Sequence, residues 1–64
     1  MMIEFYEKTR NSNVHRYIDT KNIDILPHIG DKVQKRDKMF KVIDIIFSID
    51  CLKFKVITRR LTRQ

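Results

Sequence analysis

The chain has 64 residues, of which 42% are hydrophobic and 34% charged, and its formal charge is +6. A polypeptide this short supports one domain over residues 1–64 and buries only about 60% of the surface its unfolded chain exposes, so a closed barrel, a partner or a homodimer would each help it hold together. The apolar share excludes a wholly disordered tail, the lone Cys51 excludes an internal disulfide and a cysteine pair for zinc, and no run approaches the ~20 apolar residues of a membrane span.

Glu4 and Glu7 interrupt the first apolar stretch, where a secretory signal would be unbroken. With the unpaired thiol, this predicts a cytoplasmic protein without membrane contact. Ile3 and Phe5 alternate with Glu4 and Tyr6 and predict a first strand, followed by a polar loop over residues 9–13. Residues 14–18 predict a second strand, with Val14, Arg16 and Ile18 on one side and His15 and Tyr17 on the other. Asp19, Thr20, Lys21 and Asn22 read as a turn, in which Asp19 or Asn22 could also cap a single helical turn. Pro27 lacks an amide donor and biases Leu26 toward extended backbone, so strand pairing stops there. Gly30 can take positive φ and turn the chain sharply before the next strand.

That third strand, residues 32–36, is short and basic, with Val33 inward and Lys32, Gln34 and Arg36 toward water. Arg36, Asp37 and Lys38 supply a hairpin turn, residues 39–47 the longest strand, residues 48–50 a second turn and residues 51–60 the last strand. In this last strand Leu52, Phe54, Val56 and Thr58 share one face, and Cys51, Lys53, Lys55, Ile57 and Arg59 the other. In the strand before it, Phe40 and Val42 share a face but Ile43, Ile45 and Phe47 lie on the opposite one. A two-residue turn at Ile49 and Asp50, with one extra residue at Ile43 or Asp44, brings every apolar residue to one side. It pairs Phe47 with Leu52, Ile45 with Phe54, Val42 with Val56 and Phe40 with Thr58. Such a β-bulge bends a strand, and bending lets a very small sheet curl on itself. The expected fold is therefore all-β, a small five-stranded antiparallel barrel with a bulged long hairpin.

The pattern Pro27-x-x-Gly30-Asp31-x-Val33, a short basic strand and then Phe40-x-Val42-x-x-Ile45 resembles SH3-like small barrels, including the KOW type of nucleic-acid and ribosome-associated modules. It is also similar to short uncharacterised proteins of phages and prophages that carry a comparable Pro-x-x-Gly-Asp-x-Val segment. The resemblance spans residues 26–58 and implies an SH3-like binding module; the second glycine usual in a KOW loop is lacking, and no residue role is carried over.

No glycine-rich phosphate loop is present, and neither His15 nor His28 has a sequence neighbour that would make it a general base for Ser12, Ser48 or Cys51. Nothing in the spacing of His15, His28 and Cys51 indicates a metal site, so the sequence predicts no enzyme, cofactor or metal. The charge distribution is more informative. Residues 1–31 hold four Lys and Arg against five acids, whereas residues 32–64 hold ten against three. This asymmetry points to a polyanion, nucleic acid or an acidic protein surface, or else to a solvated face that keeps a small protein soluble.

The candidate binding residues are Lys41, Lys53, Lys55 and Arg59, an outward row in which Lys41 is expected beside Ile57. Arg60, Lys35 and Arg36 extend it, with Lys32 and Lys38 at the neighbouring hairpin and Arg63 beyond. Outward residues along a strand recur every ~6.6 Å, close to the phosphate repeat of a nucleic-acid strand. Tyr6 and Tyr17 are the candidate stacking rings, or else edge-of-core residues with wet hydroxyls, but both lie in the acidic half, away from the cations. The alternative function is protein interaction: a phage-type accessory factor that engages a host protein, or a homodimer. Ile43, Ile46, Ile49 and Ile57 are more than one tiny barrel can enclose.

Overall fold

The computed structural model describes residues 1–61 and is all-β; Arg63, placed in the basic tail from sequence, lies outside the described residues. Five strands, β1 (Met2–Lys8), β2 (His15–Asn22), β3 (Lys32–Lys35), β4 (Lys38–Ser48) and β5 (Lys53–Arg60), form one curled, half-barrel sheet in the order β2-β1-β5-β4-β3. The predicted meander is present as β3, β4 and β5. β1, however, pairs with β5 in parallel, Ile3 beside Phe54 and Phe5 beside Val56, so the sheet is mixed and the expectation of a purely antiparallel barrel is corrected. Topology gives the reason. β2 occupies one side of β1, residues 23–31 carry the chain to the opposite edge of the sheet, and β5 then returns to the free side of β1 running the same way.

Alternation builds the core. Ile3, Phe5, Val42 and Val56 form a buried cluster on the inner face, and Ile18, Leu26, Val33, Ile45 and Phe54 pack against it. The buried Thr58 hydroxyl donates to the Tyr6 carbonyl at 2.8 Å, so its burial leaves no polar atom unpaired.

The β4 bulge is present: Val42 faces Thr58 and Asp44 faces Ile57, leaving Ile43 as the extra residue. The register differs by two from that expected, with Phe47 opposite Phe54, Ile45 opposite Val56 and Phe40 opposite Arg60. The hairpin loop is Ile49, Asp50, Cys51 and Leu52 rather than a two-residue turn, and Leu52, assigned to the core from sequence, is a loop residue at φ 53° and 73% exposed. A slip of two residues keeps every side chain on its face, so the inner pattern survives it.

β2 is longer than predicted. Asp19, Thr20, Lys21 and Asn22 are strand residues paired to β1 rather than a turn, because a second bulge at Ile18 resets the phase between Tyr17 and Asp19.

The Pro27 to Asp31 corner matches its sequence signature. Asp31 N–H donates to the His28 carbonyl at 3.0 Å, with Gly30 at φ 98° in the third position of the turn. Gly30 N–H donates to the Val42 carbonyl at 2.8 Å and Val42 N–H to the Asp31 carbonyl at 2.9 Å, which fastens the corner to β4. A Cβ at Gly30 would meet nothing within 4 Å, so only backbone strain opposes a side chain. Gly30→Ala is expected to lose about 1–2 kcal/mol in urea unfolding without loss of the sheet.

Candidate polyanion interface

Strand pairing determines which outward residues are neighbours. On the convex face Lys32 of β3 lies opposite Lys41 of β4, and Lys41 lies opposite Arg59 of β5. Lys41 was expected beside Ile57; the two-residue difference in register gives that place to Asp44 and aligns Lys41 with Arg59 instead. Three cations thus form one row across three strands, at ~4.8 Å spacing, and none of them has an ion-pair partner among the described residues. Like charges directly opposite each other destabilise a sheet. The sequence marked Lys32 as facing water but could not show that it extends this row.

Lys55, half-buried, lies on the same face between Glu4 of β1 and Ile46 of β4. Lys53 is different: its Nζ donates to Glu4 Oε2 at 3.0 Å, and Tyr6 Oη donates to the other Glu4 oxygen at 2.9 Å. The Lys53 hydrogen bond, helped by that of Tyr6, holds the Glu4 carboxyl below its ordinary value of 4.5, and Glu4 in turn raises the Lys53 ammonium. Because the folded-state value of Glu4 is depressed, the stabilisation is complete above about pH 4.5 and is lost as pH falls through the folded value. Glu4→Gln is expected to lower the melting temperature at neutral pH and to flatten its decline in acid, as thermal scans across pH 2 to 7 would show.

The other sequence candidates lie on the opposite, concave side. Lys35 Nζ donates to the Ile18 carbonyl at 3.1 Å and sits 3.3 Å from Asp19 Oδ2. Arg60 Nη2 donates to Glu7 Oε1 at 3.1 Å, with its guanidinium 5.8 Å from the centre of the Phe40 ring. Arg36 is exposed in the two-residue turn between β3 and β4, at φ 57°. The seven candidates therefore divide: Lys41, Lys55 and Arg59 stand on the convex face without a full counter-charge, Lys53 is tied to Glu4, and Lys35, Arg36 and Arg60 belong to a separate concavity.

The parallel pairing also corrects the expected separation of tyrosines from cations. Tyr6 lies beside Ile57, between the outward positions of Lys55 and Arg59, and Tyr17 lies opposite Tyr6. The two rings meet edge to face at 5.8 Å, and the Tyr17 hydroxyl shares a 2.6 Å hydrogen bond with Thr20 Oγ1. Ile57, assigned outward with its aliphatic surface free, is only 2% exposed. Its neighbours on that face are Tyr6, Asp44, Lys55 and Arg59, and long side chains such as Lys and Arg lay their carbon stems over apolar surface. Ile43 is half-buried, while Ile46 and Ile49 remain exposed. His15, His28 and Cys51 are exposed on β2, the corner and the hairpin loop, and no three metal-ligating side chains come together among the described residues. No helix among the described residues is long and apolar enough to cross a membrane.

In comparisons with known proteins, the chain matches no family model, no curated protein and no solved structure.

Proposed function

We propose that this protein is a non-enzymatic, SH3-like binding module of the cytoplasm whose convex face binds a polyanion, nucleic acid in the first instance. The observation that carries this is the cross-strand row Lys32, Lys41 and Arg59, three cations facing one another with no acid between them. Gathering them costs stability, and a phosphate backbone laid along the row converts that cost into affinity. Contacts of this kind position a backbone without reading sequence, and Tyr6 and Tyr17 beside the cations give a single strand rings on which to stack. Adding a short mixed-sequence oligonucleotide to the labelled protein should move the amide signals of Lys32, Lys41, Lys55 and Arg59. Signals that stay still there, or move only in the hairpin loop, refute the assignment.

The hairpin end supports a second function, contact with a protein or with a second copy. Phe47, Ile49 and Leu52 are at least half exposed in one short stretch, an apolar surface that the curled sheet does not use. Sedimentation at rising concentration separates the two: self-association abolished by Ile49→Ser favours the hairpin, and a monomer at all concentrations removes the homodimer.

A further inference from the structure

The concave side carries a second basic group with a different geometry. β2 and β3 are the two edges of the sheet and do not pair; the Lys35 side chain spans the seam between them to reach Ile18 and Asp19. At this seam a cleft of about 230 Å³ receives Arg16, Lys35, Arg36, Lys38 and Arg60, side chains from β2, β3, the β3–β4 turn, β4 and β5. Glu7 is the one acid in its lining, and it is held by Arg60. Lys35 and Lys38 face each other directly across the hairpin. Arg16, Arg36 and Lys38 have no ion-pair partner among the described residues.

A concavity in which cations outnumber acids five to one focuses the field and concentrates an anion. Guanidinium and ammonium donors together suit phosphate oxygens, the first by paired hydrogen bonds and the second as a point charge.

We infer that this seam cleft is a phosphate site, and that its ligand is a terminal phosphate group, carried by a free nucleotide or by the end of a single strand. The cleft lies on the opposite face from the row Lys32, Lys41 and Arg59, so it stands whether or not the convex face binds nucleic acid.

Amide shifts of the full chain provide the test, with inorganic phosphate, a nucleoside monophosphate and a short oligonucleotide, with or without a 5′-phosphate, as probes at constant ionic strength. Saturable shifts at Arg16, Lys35, Arg36, Lys38 and Arg60 are expected with phosphate and with the nucleotide. Replacing one charged hydrogen-bond donor with Arg36→Gln or Lys38→Gln should weaken both ligands roughly tenfold. Substituting Lys41 and Arg59 should leave the cleft titration as it is, which separates failure of the cleft from failure of the convex face. Preference for the 5′-phosphorylated strand assigns the ligand to a strand end, and preference for the mononucleotide assigns it to free nucleotide; both uphold the site. Shifts that do not saturate, or that are unchanged in Arg36→Gln and Lys38→Gln, overturn it.

Discussion

Ile57→Ala is expected to leave the protein largely unfolded at room temperature. Judged by strand alternation alone, Ile57 points to the outside with Lys53, Lys55 and Arg59, and its truncation would be tolerated. It is instead 2% exposed, enclosed on the convex face while its strand neighbours Val56 and Thr58 are buried on the other. Truncating a buried isoleucine costs about 2–5 kcal/mol, against the roughly 3–5 kcal/mol that a core in a domain of this size supplies. Circular dichroism and urea unfolding would measure the loss. Ile57→Val, which removes a single methylene, should retain the fold at a cost of about 0.5–1.5 kcal/mol. An Ile57→Ala protein as stable as the wild type would mean that the convex side of β5 is open to water.

The second large effect concerns binding. The triple variant Lys41→Gln, Lys55→Gln, Arg59→Gln is expected to lose most of its affinity for oligonucleotides while its melting temperature is maintained or rises. Lys41 faces both Lys32 and Arg59, so neutralising the row relieves repulsion, a term of roughly 0.2–1 kcal/mol per cross-strand pair. Lys53→Gln is the contrasting substitution. It leaves Glu4 without its 3.0 Å partner and should reduce stability more than binding. A triple variant that binds as well as the wild type would transfer the function to the seam cleft or to the hairpin loop.

The division between what was legible in the sequence and what was not follows from what alternation can encode. The β4 bulge is visible because an extra residue reverses the phase between Phe40 with Val42 and Ile45 with Phe47. The pairing register is invisible to the same signal, since a slip of two residues exchanges a two-residue turn for the loop of Ile49 to Leu52 without moving any side chain to the other face. Lys41 was therefore assigned to the correct face but the wrong neighbour. The β2 bulge was hidden because Asp19, Thr20, Lys21 and Asn22 are turn-forming residues. They serve as strand on an edge, where one side of the backbone needs no partner.

The parallel contact of β1 with β5 has no local signature at all, because it joins residues about fifty positions apart. It accounts for most of what changed at the candidate site. It supplies Glu4 and Glu7 as partners for Lys53 and Arg60, removing two of the seven candidate cations from the free set. It also places Tyr6 between Lys55 and Arg59, joining the acidic and basic halves that the sequence keeps apart. Lys35 is tied in the same way by Asp19, across the seam rather than through strand pairing.

The salt dependence of oligonucleotide binding by the full chain tests the central claim most directly. If Lys41, Lys55 and Arg59 each contact a phosphate of a single strand, the logarithm of the affinity should fall linearly with the logarithm of salt concentration, with a slope of about −2 or steeper. The triple variant should flatten that slope by about 2. An affinity that does not change with salt, or a slope identical in the two proteins, would contradict the assignment of the convex row.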